Sequence, residues 1–166
     1  MKQLKLAHYA IVLGTCLMLS GTVAQAQSDP EKVKLIEQEA VGWSRNMDQL
    51  MAVFTEDVIY EDAPMGLVLH GKQELRGFAT TFFNAFPTDL KAVIITAVVD
   101  GDHGASEWKF TGTHSGDMPN MPASNKTMDV RGASIYEFEG GKIKHKIDYW
   151  DISTMLRQLG FMPAKQ

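Results

Sequence analysis

The chain has 166 residues, of which 45% are hydrophobic and 22% are charged, and its formal net charge is -4. This length and composition are typical of one globular domain with a sizeable hydrophobic core. The densest basic stretch consists only of Lys142, Lys144 and Lys146, so the charge pattern argues against a nucleic-acid partner. The single cysteine, Cys16, excludes an intramolecular disulfide.

The first 26 residues have the pattern of a secretory signal peptide. Two lysines precede an apolar stretch without charged side chains, and Ala24-Gln25-Ala26 fits the small-residue rule for cleavage. We therefore expect cleavage near Ala26, a mature domain over residues 27–166, and a secreted or periplasmic protein that is not held in a membrane. A lipid-anchored form attached at Cys16 is the alternative.

The predicted elements are two helices followed mainly by strands. Apolar residues three and four positions apart indicate helices, whereas alternation and β-branched residues between glycine turns indicate strands. Segments 62–70 and 114–125 contain proline and glycine and are expected to be loops. In chain order we predict a helix over 33–54, a strand over 57–61, a helix over 72–86, strands over 90–99, 106–112, 126–138 and 143–150, and a helix over 152–159.

This order is typical of an α+β domain in which N-terminal helices wrap a curved antiparallel sheet. Such a sheet forms a cone, and its open mouth is a common place for a small ligand. Within the last helix, Asp151 is the expected N-cap and Gly160 the expected end. Asp29 or Ser28 is expected to cap the first helix.

The last third of the chain carries a recognisable pattern. The stretches FTGTHSG, DMPNMPAS and EGGKIKHKIDYWDISTMLRQLG, preceded by YED and LHGKQELRGF, resemble the SnoaL-like polyketide (ester) cyclases of the nuclear transport factor 2-like superfamily. The resemblance covers nearly all of residues 27–166 and implies the cone-shaped, cystatin-like α+β barrel of that superfamily. It implies a small hydrophobic, oxygenated ligand without naming it, because this fold hosts many chemistries.

Asp148 is the expected catalytic residue, because the resemblance implies a general acid/base at this position of the last strand. Simple alternation from Ile143 would instead place Asp148 on a solvated face with Lys144 and Lys146. One bulge in this strand would pair Asp148 with Ser134. The cyclases carry histidine at the position of Ser134, and a hydroxyl cannot titrate near neutrality as imidazole does.

The resemblance also implies a set of ligand-binding side chains on other elements. The family has Tyr-x-Asn on its first strand where this chain has Tyr60-Glu61-Asp62, so a second carboxylate can share the cavity with Asp148. Each of these side chains has an alternative interpretation. Asp62 can cap the following turn, the aromatic side chains of Trp108 and Trp150 can pack in the core, and His114 can be structural. The expected substrate-binding residues are Tyr60, Asp62, Trp108, His114, Ser134 and Trp150.

Two functions stay open at this point. The first is an enzyme of cyclase, isomerase or hydratase type that uses Asp148, and the second is a non-catalytic periplasmic protein that binds a small ligand. The related limonene epoxide hydrolases use an Arg-x-Asp pair where this chain has Trp108-Lys109-Phe110, which argues against their chemistry. No spacing suits metal ligands, so neither a metal nor another cofactor is expected. The sheet face is a candidate homodimer interface.

Overall fold

The computed structural model describes residues 29–164, and the predicted signal peptide and its cleavage site lie outside the described residues. The described part of the chain is an α+β domain, as expected. Its elements are α1 (Pro30–Trp43), α2 (Met47–Ala52), β1 (Phe54–Asp62), β2 (Leu67–His70), α3 (Gly71–Ala85), β3 (Lys91–Asp100), β4 (His103–Thr113), β5 (Thr127–Glu139), β6 (Lys142–Trp150) and α4 (Ile152–Leu159).

The strands form one curved sheet in the order β2-β1-β6-β5-β4-β3. Neighbouring strands are antiparallel except β1 and β6, which pair in parallel near the middle of the sheet. Helices α1, α3 and α4 contact strands of this sheet, and the buried apolar side chains lie between the two layers. The sheet is open, not closed into a barrel. No described helix is long and apolar enough to cross a membrane.

The predicted first helix, 33–54, is in fact two helices and the start of a strand. The chain leaves α1 at Ser44, passes through Arg45 with a left-handed φ of 74°, and enters α2 with Asn46 as N-cap. The guanidinium of Arg45 donates hydrogen bonds to the backbone carbonyls of Phe83 (2.6 Å) and Phe86 (2.9 Å), which stabilises the turn from outside the segment. The apolar periodicity could not show this break because it continues across it.

The segment 62–70, predicted as a loop, contains strand β2, which pairs antiparallel with β1. The sequence signal was weak because this strand has only four residues and lies at the sheet edge. Helix α4, in contrast, has the predicted bounds. The side chain of Asp151 accepts a hydrogen bond from the backbone of Thr154, and Gly160 ends the helix with a left-handed φ of 87°.

A β-bulge in β6 determines which side chains face the concave side of the sheet. Glu137 pairs with His145 and Phe138 pairs with Ile143, so Lys144 has no partner across the ladder. The extra residue reverses the alternation beyond it, and the register then places Ser134 opposite Asp148. Asp148 is therefore buried, and the solvated face that simple alternation predicts for it is wrong.

Candidate functional site

A pocket opens between the helices and the concave face of the sheet. Its volume is about 600 Å³, which includes the open mouth. The walls are mainly aromatic and aliphatic, with a few charged groups. The lining residues are Glu39, Ala40, Trp43, Tyr60, Asp62, Phe78, Phe82, Ala92, Ile94, Trp108, Phe110, Met128, Val130, Lys146, Asp148, Trp150 and Met155.

Asp148 accepts hydrogen bonds on both carboxylate oxygens. The hydroxyl of Tyr60 donates to Oδ2, and the hydroxyl of Ser134 donates to Oδ1 at 2.5 Å. The ammonium of Lys146 lies 3.0 Å from the same Oδ1. The indole N–H of Trp108 donates to the Ser134 oxygen at 2.8 Å, which directs the Ser134 proton towards Asp148. Since every neighbour donates, the geometry suits an ionised Asp148.

A second carboxylate, Glu39 of α1, shares the ammonium of Lys146. The Lys146 Nζ to Glu39 Oε1 distance is 2.7 Å, and only 3% of Lys146 and 2% of Glu39 is exposed. The indole of Trp43 donates to Oε1 at 2.6 Å, and the hydroxyl of Tyr136 donates to Oε2 at 3.3 Å. These bonds tie α1 to the sheet through a buried Glu39–Lys146–Asp148 network.

Neither Glu39 nor Lys146 is among the site residues expected from the sequence. A signal for Glu39 was present, because it lies in the apolar stripe of α1 beside Ile36, Ala40 and Trp43, where a charged residue needs a partner. A signal for Lys146 appears only once the bulge is located, because Lys146 then shares a face with Asp148.

Burial and charge shift the ionisation of the network. Burial raises the pKa of Glu39, although Lys146 opposes this shift. Burial alone would lower the pKa of Lys146, but the carboxylates of Asp148 and Glu39 outweigh it and raise the pKa above its ordinary value. Burial, followed by the Asp148 charge, raises the pKa of Tyr60. At neutral pH, Lys146 is therefore charged and Tyr60 keeps the proton it donates.

Asp62 lies at the end of β1, on the strand beside Asp148, and is 3% exposed. The indole N–H of Trp150 is shared between its two oxygens, each 3.1 Å away, and the backbone N–H of Met65 donates to Oδ1 at 3.1 Å. Asp62 thus both caps the following turn and lines the pocket, so the two interpretations of it were not exclusive. Burial raises its pKa, and the Trp150 hydrogen bond opposes this.

The comparison with protein families identifies the family of this chain. The profile described as SnoaL-like polyketide cyclase matches residues 36–159, which is most of the chain. The chain belongs to the SnoaL-like polyketide cyclase family. The resemblance noted in the sequence is therefore confirmed. A comparison with curated proteins finds no significant match.

Solved structures show the same fold. A proposed SnoaL-like polyketide cyclase from Jannaschia sp. CCS1 is 17% identical, with a TM-score of 0.71 over 84% of this chain and 98% of that one. IdmH, a proposed polyketide cyclase from Streptomyces antibioticus, is 20% identical, with a TM-score of 0.67 over 77% and 97%. A protein of ketosteroid isomerase-like fold from Catenulispora acidiphila, in complex with trimethylamine, is 23% identical, with a TM-score of 0.66 over 76% and 92%. At these identities the likeness shows the fold alone.

Most of the residues expected from the SnoaL-like resemblance meet in one place. Tyr60, Asp62, Trp108, Trp150 and Asp148 line the pocket. Ser134 is not among the lining residues; it lies behind Asp148 and donates a hydrogen bond to that carboxylate. The part of the chain spanning 29–164 contains no cluster of three or more side chains suited to a metal ion.

His114 is an expected site residue that neither lines the pocket nor hydrogen-bonds to Asp148. Its side chain is fully buried between the rings of Phe86 and Phe161, and its Nδ1 meets the hydroxyl (3.2 Å) and the backbone N–H (3.3 Å) of Ser124. Burial lowers its pKa. The structural interpretation of this histidine therefore replaces the ligand-binding one.

Proposed function

We propose that this protein is an exported acid–base enzyme of the cyclase or isomerase type. It acts on a small, hydrophobic, oxygenated molecule and uses Asp148 for proton transfer. The observation that carries the proposal is a buried carboxylate in the wall of an apolar pocket, held by Tyr60, Ser134 and Lys146. Exclusion of water strengthens the electrostatic effect of such a group on a bound substrate.

Other observations support the reaction class and the location. The relatives from Jannaschia and Streptomyces are described as proposed polyketide cyclases, and the family profile bears the same description. The apolar walls suit a hydrophobic substrate, and the carboxylates suit its oxygenated groups. Export is supported by the N-terminal charge pattern and the Ala24-Gln25-Ala26 motif.

An Asp148→Asn variant tests the proposal, because asparagine keeps the size of the side chain and removes its ability to take up a proton. We expect native mass spectrometry of this variant, isolated from the periplasm, to detect a retained molecule that the wild-type protein converts. Since isomerisation and ring closure conserve mass, the conversion is measured by chromatographic retention. The variant should convert the molecule about 10²–10⁴-fold more slowly.

The matched control is Asp129→Asn, which removes an exposed carboxylate of β5 outside the pocket lining and should convert the molecule at the wild-type rate. A non-catalytic binding protein is the second candidate. Ser134 favours it, because the cyclases carry a titratable histidine at this position. That candidate predicts that wild-type protein retains the same molecule as Asp148→Asn and leaves it unchanged, and this result would exclude the enzyme.

A further inference from the structure

Asp62 and Asp148 are neighbours across the parallel β1–β6 ladder. The register pairs Asp62 directly with Asp148, and both side chains line the same pocket. Paired strands lie about 4.8 Å apart, so the two carboxyl groups start from adjacent positions on one face of the sheet. Two ionised carboxylates so placed in a buried site repel each other, and one of them is favoured to hold a proton.

The hydrogen-bond partners of the two residues differ in charge. Asp148 has the ammonium of Lys146 at 3.0 Å and two hydroxyl donors, and a proton on Asp148 would displace one of these donors. Asp62 has only neutral donors, the indole of Trp150 and the backbone of Met65. Among residues 29–164, Asp62 makes no ion pair. A proton on Asp62 therefore disrupts fewer hydrogen bonds and ion pairs than a proton on Asp148.

We infer that Asp62 is a second catalytic residue, the general acid that gives a proton to the ligand while Asp148 takes one. The assignment rests on the proposed function. The SnoaL-like resemblance implies asparagine at the position of Asp62. An amide can donate a hydrogen bond at that position but cannot transfer a proton.

The step balances for a ligand with a carbonyl group. Asp148 removes a proton from the carbon beside the carbonyl, and the electron pair of that C–H bond forms the C=C bond of an enol. The π pair of the C=O bond takes the proton of Asp62. The two aspartates begin with one proton on Asp62 and end with one proton on Asp148. Their total charge therefore does not change in the low-dielectric pocket. Where a further C=C bond is conjugated with the enol, the Asp148 proton adds to the far carbon of that bond, the double bonds shift, and the enol O–H returns its proton to Asp62, which completes an isomerisation.

The surroundings of Asp62 favour a proton on its carboxyl group. Burial is the main cause that raises the pKa of Asp62, and the neighbouring Asp148 charge raises it further. The Trp150 and Met65 hydrogen bonds and the more distant Lys146 ammonium oppose the shift. The balance leaves the pKa of Asp62 above its ordinary value.

The interaction between Asp62 and Asp148 is tested without a ligand by carbon NMR of protein that is labelled at the aspartate side-chain carboxyl carbon. Glu39 gives no signal in this spectrum because glutamate is not labelled. We expect the Asp62 resonance, assigned by its loss in Asp62→Asn, to titrate above the ordinary aspartate pKa of about 3.9. In Asp148→Asn this midpoint should move down, because the neighbouring negative charge is gone. In the control Asp129→Asn the midpoint should not move. A midpoint at or below the ordinary value, or one unaffected by Asp148→Asn, overturns the assignment.

The acid role is tested with the molecule retained by Asp148→Asn. Asp62→Asn should still bind it but convert it at least about 10²-fold more slowly than wild type. Conversion by Asp62→Asn at the wild-type rate overturns the acid role while leaving the proposed function intact. If wild-type protein does not convert the molecule, the proposed function fails and the acid role fails with it, whatever the titration shows.

Discussion

At the scale of single residues, Lys146 controls the charge balance of the pocket wall. It is the cation between the carboxylates of Glu39 and Asp148, at 2.7 and 3.0 Å, and it also lies over the ring of Tyr60 at 5.2 Å from the centroid. Buried charges are tolerated only when they are paired, because removing an ion from water costs several kcal/mol. Lys146 therefore allows two carboxylates to lie in the interior together.

Lys146→Met should lower the free energy of unfolding at neutral pH by about 3–5 kcal/mol, because it leaves buried carboxylates without their cation. Urea denaturation measures this change. The matched control is Lys144→Met on the same strand, whose half-exposed side chain pairs with the exposed Asp57, and it should change stability little. Equal losses in the two variants would show that the buried network is not needed.

The loss in Lys146→Met should also depend on pH. Lys146 opposes the rise of the Glu39 pKa, so without Lys146 that pKa rises further. A carboxyl group whose pKa is higher in the folded than in the unfolded state destabilises the fold at a pH above its folded-state pKa. This destabilisation disappears as the pH falls and the group is protonated. The difference from wild type should therefore shrink between neutral pH and about pH 5. A difference that grows on acidification contradicts this explanation.

At the scale of elements, the packing of β4, β5 and β6 depends on a glycine, Gly132, at their centre. Gly132 of β5 pairs with Trp108 of β4 on one side and with Trp150 of β6 on the other. A Cβ at Gly132 would lie 2.3 Å from the Trp108 ring and 2.8 Å from the carbonyl oxygen of Tyr149. The absent side chain leaves room for the Trp108 indole to lie across the sheet and reach Ser134.

Gly132→Ala should displace Trp108 and lower the free energy of unfolding by about 1–3 kcal/mol, the usual cost of overpacking. It should also shift the tryptophan fluorescence, because all three tryptophans of the protein line the pocket. The control is Gly77→Ala, on the exposed side of α3 with open space around it, which should stabilise the helix by about 0.5–1 kcal/mol. Wild-type stability and fluorescence of Gly132→Ala would mean that the strands adjust freely.

At the scale of the whole molecule, the domain is one sheet covered by helices, and its first element begins close to the predicted cleavage site. Helix α1 starts at Pro30, and Asp29 caps it by accepting hydrogen bonds from the backbone of Glu31 (3.1 Å) and Lys32 (3.3 Å). Cleavage after Ala26 leaves this cap in place. The cap of α1 therefore belongs to the predicted mature chain.

Exported protein should have the intact mass of a chain that begins at Gln27, as measured by mass spectrometry of the periplasmic fraction. Ala26→Glu should block cleavage and leave a heavier precursor in the membrane fraction, because the cleavage rule requires a small residue there. A wild-type mass that includes Cys16 with added acyl chains would contradict cleavage at Ala26 and identify a lipoprotein.

The sequence alone determined the features that depend on neighbouring residues. The bounds of α4, its Asp151 cap and its Gly160 end follow from hydrogen bonds within one short segment. The α+β class follows from the order of periodic segments, and the family pattern identified Asp148, Tyr60 and Trp108 as pocket residues. The ends of the helix and the fold class depend on residues close together in the chain, and the pocket residues follow from a sequence pattern shared by a family.

Only the tertiary structure decided the features that depend on how distant segments pack. The bulge at Lys144 is set by the pairing of β6 with β5, and it places Asp148 on the pocket face that the family pattern implies and that simple alternation does not predict. The Glu39–Lys146 bond joins residues 107 positions apart, so no local pattern shows it. His114 is structural because two phenylalanines from other segments enclose it. Burial of a polar side chain is a property of the assembled core, which composition and periodicity do not specify.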